Sequence, residues 1–226
     1  EFVGYENLKT QGSIIQIIKN NKSTNKIKQT DKAIIVTNQT SFYGESGGQI
    51  GDSGLIKFNN NEFKVLDTKK ILKIHLHYGI VIKGQFKKNE TVNLVVDKKK
   101  RDRIKIYHSA THLLHASLRQ IFGTHVTQNG SLVSFDRLRF DFSHPKPITD
   151  SDIKKIENVA NKIIRQNDQV TISIMQYKLA IEEGAMALFG EKYEDEVRVV
   201  SMGKKDNKSC FSMELCGGTH VSKTKD

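Results

Sequence analysis

Lys98-Lys99-Lys100-Arg101-Asp102-Arg103-Ile104-Lys105-Ile106-Tyr107-His108-Ser109-Ala110-Thr111-His112-Leu113-Leu114-His115 is the stretch in which the chain changes its period. It opens on a run of charge. From Asp102 to about Phe122 apolar residues then recur at helical spacing, through Ile106, Ala110, Leu113, Leu114, Leu118 and Ile121, with Gly123 as the stop. Upstream the pattern is different. Residues 12–100 carry short β-branched runs, among them Ile14-Ile15-Gln16-Ile17-Ile18, Ala33-Ile34-Ile35-Val36 and Thr91-Val92-Asn93-Leu94-Val95-Val96. Turns such as Gly51-Asp52-Ser53-Gly54 and Phe58-Asn59-Asn60-Asn61 separate the runs. Several short strands at this spacing favour a small barrel over an open sheet. The charge run therefore divides the chain into a small N-terminal β-barrel subdomain, residues 1–100, and a second domain, residues 101–226.

The second domain reads as mixed. A helix is expected from about Ser151 to Gln166, opened by Thr149 or Asp150 and carrying Ile153, Ile156, Val159, Ala160 and Ile163. Pro145 and Pro147 lie in the connection before it. Val170 to Met175, Val197 to Met202 and Cys210 to Leu215 read as strands, with a short helix around Leu179 to Gly184. The fold class is α+β.

Hydrophobic residues make up 37% and charged residues 27% of the 226 positions, as in an ordinary globular protein. No apolar run approaches the eighteen or so residues of a membrane helix, so no membrane partner is expected. The start, Glu1-Phe2-Val3-Gly4, has neither a signal-peptide pattern nor an initiating methionine, and reads as the start of an excised piece. Cys210 and Cys216 are too few for a disulfide framework, which points to a reducing, cytoplasmic compartment. The net charge of +11 fits a polyanionic partner. Scattered lysine is also ordinary solvated surface, so charge alone does not establish nucleic acid binding.

His108 and His112 are four apart on the first helix, about 6 Å along its axis, so both imidazoles can converge on one ion. Such a pair alone is more often helix surface or satisfied core. Cys216-Gly217-Gly218-Thr219-His220 changes the balance, because a glycine turn after a strand can aim a thiolate and an imidazole at one point. Three histidines and a cysteine suit zinc better than magnesium or calcium. Spacing leaves open whether the site is a closed structural staple or an open site completed by water. His115 reads as core or as support behind the ligands, and His75, His77, His125 and His144 have no partner spacing. There is no His-Glu-x-x-His, Gly-x-Ser-x-Gly or Gly-x-x-x-x-Gly-Lys motif, which removes the common protease, esterase and nucleotide-loop readings.

In the barrel half, the stretch from Thr40 to Asp52 holds Gly44, Gly47, Gly48 and Gly51 among Thr40, Glu45, Ser46 and Gln49. It reads equally as a tight bend or as a substrate wall. Its polarity between two apolar strands favours the wall.

Three stretches together resemble the editing domain of alanyl-tRNA synthetase: Phe42-Tyr43-Gly44-Glu45-Ser46-Gly47-Gly48-Gln49-Ile50-Gly51-Asp52, His108-Ser109-Ala110-Thr111-His112-Leu113-Leu114-His115, and Glu214-Leu215-Cys216-Gly217-Gly218-Thr219-His220. Leu138 to His144 and Gly184 to Tyr193 also look like that family. The resemblance implies a barrel subdomain followed by an α+β zinc-binding editing core. It implies hydrolysis of the ester in tRNA(Ala) mischarged with serine or glycine, within a longer synthetase chain. By the same resemblance His108, His112, Cys216 and His220 hold one Zn2+. Gln49 matches an active-site glutamine, and Thr40 a threonine that looks like the reader of the serine hydroxyl. Ser41 stands where the family usually has proline.

Gly47 and Gly48 are expected to face the substrate, and Lys99, Lys100, Arg101 and Arg103 the tRNA backbone. Arg139 is a further candidate, although pairing with Asp141 or Asp136 explains it equally. Three rival readings remain: the related editing domain of threonyl-tRNA synthetase, a freestanding editing protein of the alanyl type, and a non-catalytic zinc-stapled RNA-binding module.

Overall fold

The computed structural model describes residues 1–187, 193–205 and 209–226. The chain forms two compact units, Glu1–Asp102 and Arg103–Asp226, and the division falls inside the first helix.

The first unit contains β1 (Lys9–Lys19), β2 (Lys22–Thr24), β3 (Lys26–Lys28), β4 (Lys32–Thr37), β5 (Gly54–Phe58), β6 (Asn61–Ile71), β7 (Ile74–Lys83), β8 (Gln85–Lys87) and β9 (Thr91–Val96). Strands β1, β4, β7, β6, β5 and β9 are neighbours in that order, all antiparallel. Strand β9 returns to β1 from Lys9↔Val95 to Ser13↔Thr91, which closes a six-stranded barrel. Closure leaves no open edge in the ring. Strand β2 extends β1 on one side, and β3 pairs with β8 as a separate ribbon.

Inward residues fill the barrel: Ile14, Ile17, Ile35, Ile56, Phe63, Val65, Phe86 and Leu94 are all buried. Ile14 and Ile17 are three apart, which strict alternation forbids. A register shift between Ile14 and Gln16 inserts the extra residue and leaves Ile15 half exposed outside.

Helix α1 (Lys98–Phe122) begins four residues before the apolar periodicity does. Asp97 starts it: its Oδ1 accepts from the Lys100 N–H at 3.2 Å, and its carbonyl accepts from the Arg101 N–H at 3.0 Å. The charge run is thus the first turn and a half of the helix, not a linker.

Five further expectations lie in the second unit. Helix α2 (Asp150–Gln166), which follows the hairpin β10 (Gln128–Val133) and β11 (Leu138–Phe142), opens on a capping box in which Thr149 and Asp152 satisfy each other's backbone N–H. The strands arrive close to their expected positions, as β12 (Thr171–Gln176), β13 (Glu196–Lys204) and β14 (Cys210–Leu215), with α3 (Tyr177–Glu182) between the first two. They form an antiparallel sheet in that order. The β10–β11 hairpin has no counterpart in the sequence reading. Of the stretch 184–193, residues 188–192 lie outside the described residues.

Leu113 of α1, Ile163 of α2, Val200 and Met202 of β13, and Val221 share one apolar cluster, which fixes α1 against the sheet. After His220 the chain turns back: Val170 N–H donates to the Ser222 carbonyl at 2.8 Å, and Thr224 N–H to the Asp168 carbonyl at 2.9 Å. Among the described residues no helix is long and apolar enough to cross a membrane.

Candidate functional site

Helix α1 presents His108 and His112 on the face that also carries Leu113, so both imidazoles are buried, 5% and 4% exposed. Strand β14 delivers Cys216 and, through the turn that follows it, His220. The turn is held by β13. Cys216 N–H donates to the Arg198 carbonyl at 2.9 Å, while Arg198 Nη1 donates to the carbonyls of Cys216 at 2.7 Å and Gly218 at 3.0 Å. One guanidinium thus fixes both ends of the tight bend. Gly218 N–H points back at Cys216 Sγ, 3.4 Å away.

The four potential donor atoms of His108, His112, Cys216 and His220 lie within 4.8 Å of one another. Cys216 Sγ is 3.5 Å from His108 Nε2 and 3.3 Å from His220 Nε2. Tetrahedral zinc with its usual bond lengths separates its donors by roughly 3.3–3.6 Å, which the two distances from Cys216 Sγ match.

Charge fits as well. Burial opposes a charge on Cys216, but the imidazoles of His108, His220 and His112 overcome it and hold the thiol well below its ordinary range. Burial, helped by His108, pushes His220 down to about 3, leaving it neutral with a lone pair to give. Burial also opposes a charge on His112, yet Glu214 and Cys216 raise it to about 9. A thiolate and a carboxylate buried among imidazoles form a place that favours positive charge.

Behind the donors stand residues that orient them. Glu214 Oε2 lies 3.2 Å from His112 Nδ1, and Oε1 lies 3.3 Å from His115 Nδ1. These are ion-pair distances, off the line of a good hydrogen bond. They leave His112 Nε2 as the donor nitrogen, the arrangement in which a carboxylate sets a ligating imidazole. His220 Nδ1 is 3.2 Å from Ser109 Oγ, which also accepts from the Val221 N–H at 3.2 Å. Glu214, Ser109 and Arg198 received no role in the sequence reading. His115 is 3% exposed and is not among the converging donors.

In the barrel unit, Gly47 and Gly48 have φ of 56° and 80°. Ser46 and Gln49 exchange backbone hydrogen bonds across them, at 3.1 and 3.0 Å. This is a two-residue turn of the kind that needs positive φ at both central positions, so the bend explains the glycines. Thr40 and Gln49 are 2% and 0% exposed. Thr40 Oγ1 lies 2.8 Å from His77 Nε2 and accepts from the Phe42 N–H at 3.0 Å.

Arg101 requires a correction. It was expected on the tRNA surface, but its side chain is wholly buried beside the equally buried Asp52. Its Nε donates to Asp52 Oδ1 at 3.0 Å and its Nη2 also meets Asp52. Its remaining donors reach the carbonyls of Gly4 at 2.6 Å and Ser41 at 3.0 Å. Asp52 accepts from the Tyr43 N–H at 2.7 Å as well. This guanidinium has no face left for a phosphate. Lys99 and Arg103 are exposed and Lys100 is half-buried. Arg139 is exposed and pairs with Asp141 at 3.1 Å.

Residues 1–100 match the family described as tRNA synthetases class II (A), and residues 197–226 match the threonyl and alanyl tRNA synthetase second additional domain. The chain is 52% identical over 231 residues to an alanine–tRNA ligase of Rhizorhabdus wittichii. It is 50% identical over 232 residues to one of Chelativorans sp. and 47% identical over 230 residues to one of Parvibaculum lavamentivorans. Each match covers 100% of this chain but 26% of the relative.

Proposed function

Because the chain belongs to the alanine–tRNA ligases, as a segment spanning 26% of the length of such a protein, we propose that it edits their product. It hydrolyses the ester that joins serine or glycine to tRNA(Ala), with one zinc ion bound by His108, His112, Cys216 and His220. The observation that carries this reading is the convergence of these four donors within 4.8 Å, with Cys216 and His220 inside the segment that matches the second additional domain.

Four protein donors complete a tetrahedral shell, which favours an ion that organises the aminoacyl-adenosine end over one that activates water. When bound, zinc supplies a fixed positive charge and a rigid link between α1 and the turn after β14. The ester is already reactive, so the protein mainly has to position water and stabilise the developing oxyanion. The Gln49 carboxamide can donate and accept, which suits it to orienting the water. It is too weak a base to remove the proton.

Thr40 reads the serine hydroxyl. A buried polar group matched to a hydroxyl discriminates against an analogue that lacks it. Lys99, Lys100, Arg103 and Arg139 are the remaining cationic candidates for the tRNA backbone.

The test is deacylation of Ser-tRNA(Ala) and Ala-tRNA(Ala) by the zinc-loaded chain. Selective release of serine, lost in His112→Ala, supports the reading. Zinc binding without release of either amino acid refutes it in favour of a stapled binding module. Full activity in Gln49→Ala removes the role given to Gln49.

A further inference from the structure

His77 entered the sequence reading as a histidine without a partner, yet it is fully buried and spends both ring nitrogens on the barrel wall. Its Nδ1 lies 2.8 Å from the Ile35 carbonyl. A carbonyl can only accept, so Nδ1 carries a proton and donates it. Burial lowers the His77 pKa to about 4, so the ring is neutral and Nε2 is left as a lone pair. The atom facing that lone pair is Thr40 Oγ1, at 2.8 Å, and it must therefore donate.

Thr40 has one proton and two lone pairs to offer. The proton goes to His77, and one lone pair receives the Phe42 N–H at 3.0 Å. What remains is a single lone pair. We propose that His77 is a positioning residue that fixes Thr40 as a hydrogen-bond acceptor and so makes the site favour serine, whose hydroxyl is a donor, over glycine among the acyl groups it removes.

This inference rests on the reading of Thr40 given above and goes one step further, because it assigns the direction of the contact. The serine side chain donates its hydroxyl proton to Thr40. An alanine methyl group has no proton to give, and glycine has no side chain to reach it. A Thr40 hydroxyl free to rotate would instead present a donor or an acceptor indifferently and would be satisfied by water in either sense. The chain of donors from His77 to Thr40 to ligand removes that freedom before the substrate arrives, which is the use of a preorganised polar network.

Three measurements test it on the whole chain. Long-range proton–nitrogen spectra of ring-labelled protein report the His77 tautomer without reference to activity. The Nδ1–H form is expected, and an Nε2–H form overturns the inference. The ratio of Ser-tRNA(Ala) to Gly-tRNA(Ala) deacylation is then compared in His77→Phe, which removes the acceptor, and in His77→Gln, whose carboxamide oxygen can restore it. A fall of about tenfold in the ratio for His77→Phe, the size of one neutral hydrogen bond, with recovery in His77→Gln, supports the assignment. Equal loss on both substrates, or failure of His77→Gln to recover, reduces His77 to a packing role. Thr40→Val separates the two levels: an unchanged ratio there refutes the reading of Thr40 itself, whereas a reduced ratio there with an unchanged one in His77→Phe refutes only the role of His77.

Discussion

Replacing Arg101 with methionine tests the barrel's architecture more sharply than any change at its surface. Methionine keeps most of the volume but withdraws every donor that now serves Asp52, Gly4 and Ser41. The Asp52 carboxylate, 2% exposed, then keeps the hydrogen bond from the Tyr43 N–H but loses its cationic partner. Breaking a buried pair by removing one partner costs about 3–5 kcal/mol. That is a large share of the roughly 5–15 kcal/mol by which a domain is stable. For a unit near 100 residues it corresponds to a fall in melting temperature of roughly 12–40 °C.

Thermal and urea unfolding of the chain, followed by circular dichroism, measure the loss directly. Because the pair is enclosed, salt between 50 mM and 500 mM should leave the loss unchanged. Adding Asp52→Asn, which keeps an acceptor for Tyr43 while discharging the carboxylate, should recover part of it. Lysine at position 101 should not restore stability, since an ammonium cannot span three acceptors as the planar guanidinium does. A melting temperature within about 2 °C of the parent, with tRNA binding weakened in a salt-dependent way, would refute the reasoning and return Arg101 to the surface.

Four further outcomes follow from particular groups. Ser41 Oγ is wholly buried without a partner, so Ser41→Ala should raise stability by about 1 kcal/mol, seen as a higher urea midpoint at constant slope. A drop of that size would mean the hydroxyl is satisfied. His77 has a folded pKa of about 4 against 6.5, so above pH 6.5 it contributes no pH dependence. As pH falls from about 6.5 towards 4 the unfolded chain takes up a proton that the folded one refuses, and about 3 kcal/mol is lost. Parent and His77→Phe unfolding free energies should therefore converge or cross over that interval, and parallel curves would contradict the assignment. All four donors lie in the second unit, so a chelator should lower that unit's unfolding transition and leave the barrel's in place. Glu214→Gln should weaken zinc affinity about 10–100-fold in a chelator competition, and unchanged affinity would show that Glu214 does not set His112.

What the sequence revealed depended on how local each signal was. The helical pair His108 and His112 and the Cys216–His220 turn are each complete within five residues, so their convergence could be read before any fold was known. Arg101 was misread because six charged residues in a row look like solvated surface. Yet Arg101, Ile104, His108, His112 and His115 recur at three- and four-residue spacing, and all five are buried. The stripe was present, and the charge concealed its first member.

Glu214 also left a trace, since a residue two before a strand-borne ligand lies on the same face. The β10–β11 hairpin did not, because Asn129 and Gly130 interrupt its first strand, where the register shifts between Gln128 and Gly130. His77 could not have been read at all. Its partners Ile35 and Thr40 lie 42 and 37 residues away, and only barrel closure brings them together.

The placement of these groups along the chain gives the protein an order of assembly as it leaves the ribosome. Every strand of the barrel, its closing pair β1–β9 and its Arg101–Asp52 bolt are available once residue 102 has been made. At roughly 5–20 residues per second the 108 residues that separate His108 from Cys216 take several seconds more, ample time for such a unit to form. The candidate metal ligands behave oppositely. His108 emerges just after the barrel is complete, and Cys216 follows 108 residues later with His220 close behind, so the two halves of the proposed centre wait for one another across almost the whole second unit. Capture of the ion is then a late, chain-spanning event, and a ribosome stalled before Cys216 would carry a finished barrel beside a helix with two unmatched imidazoles.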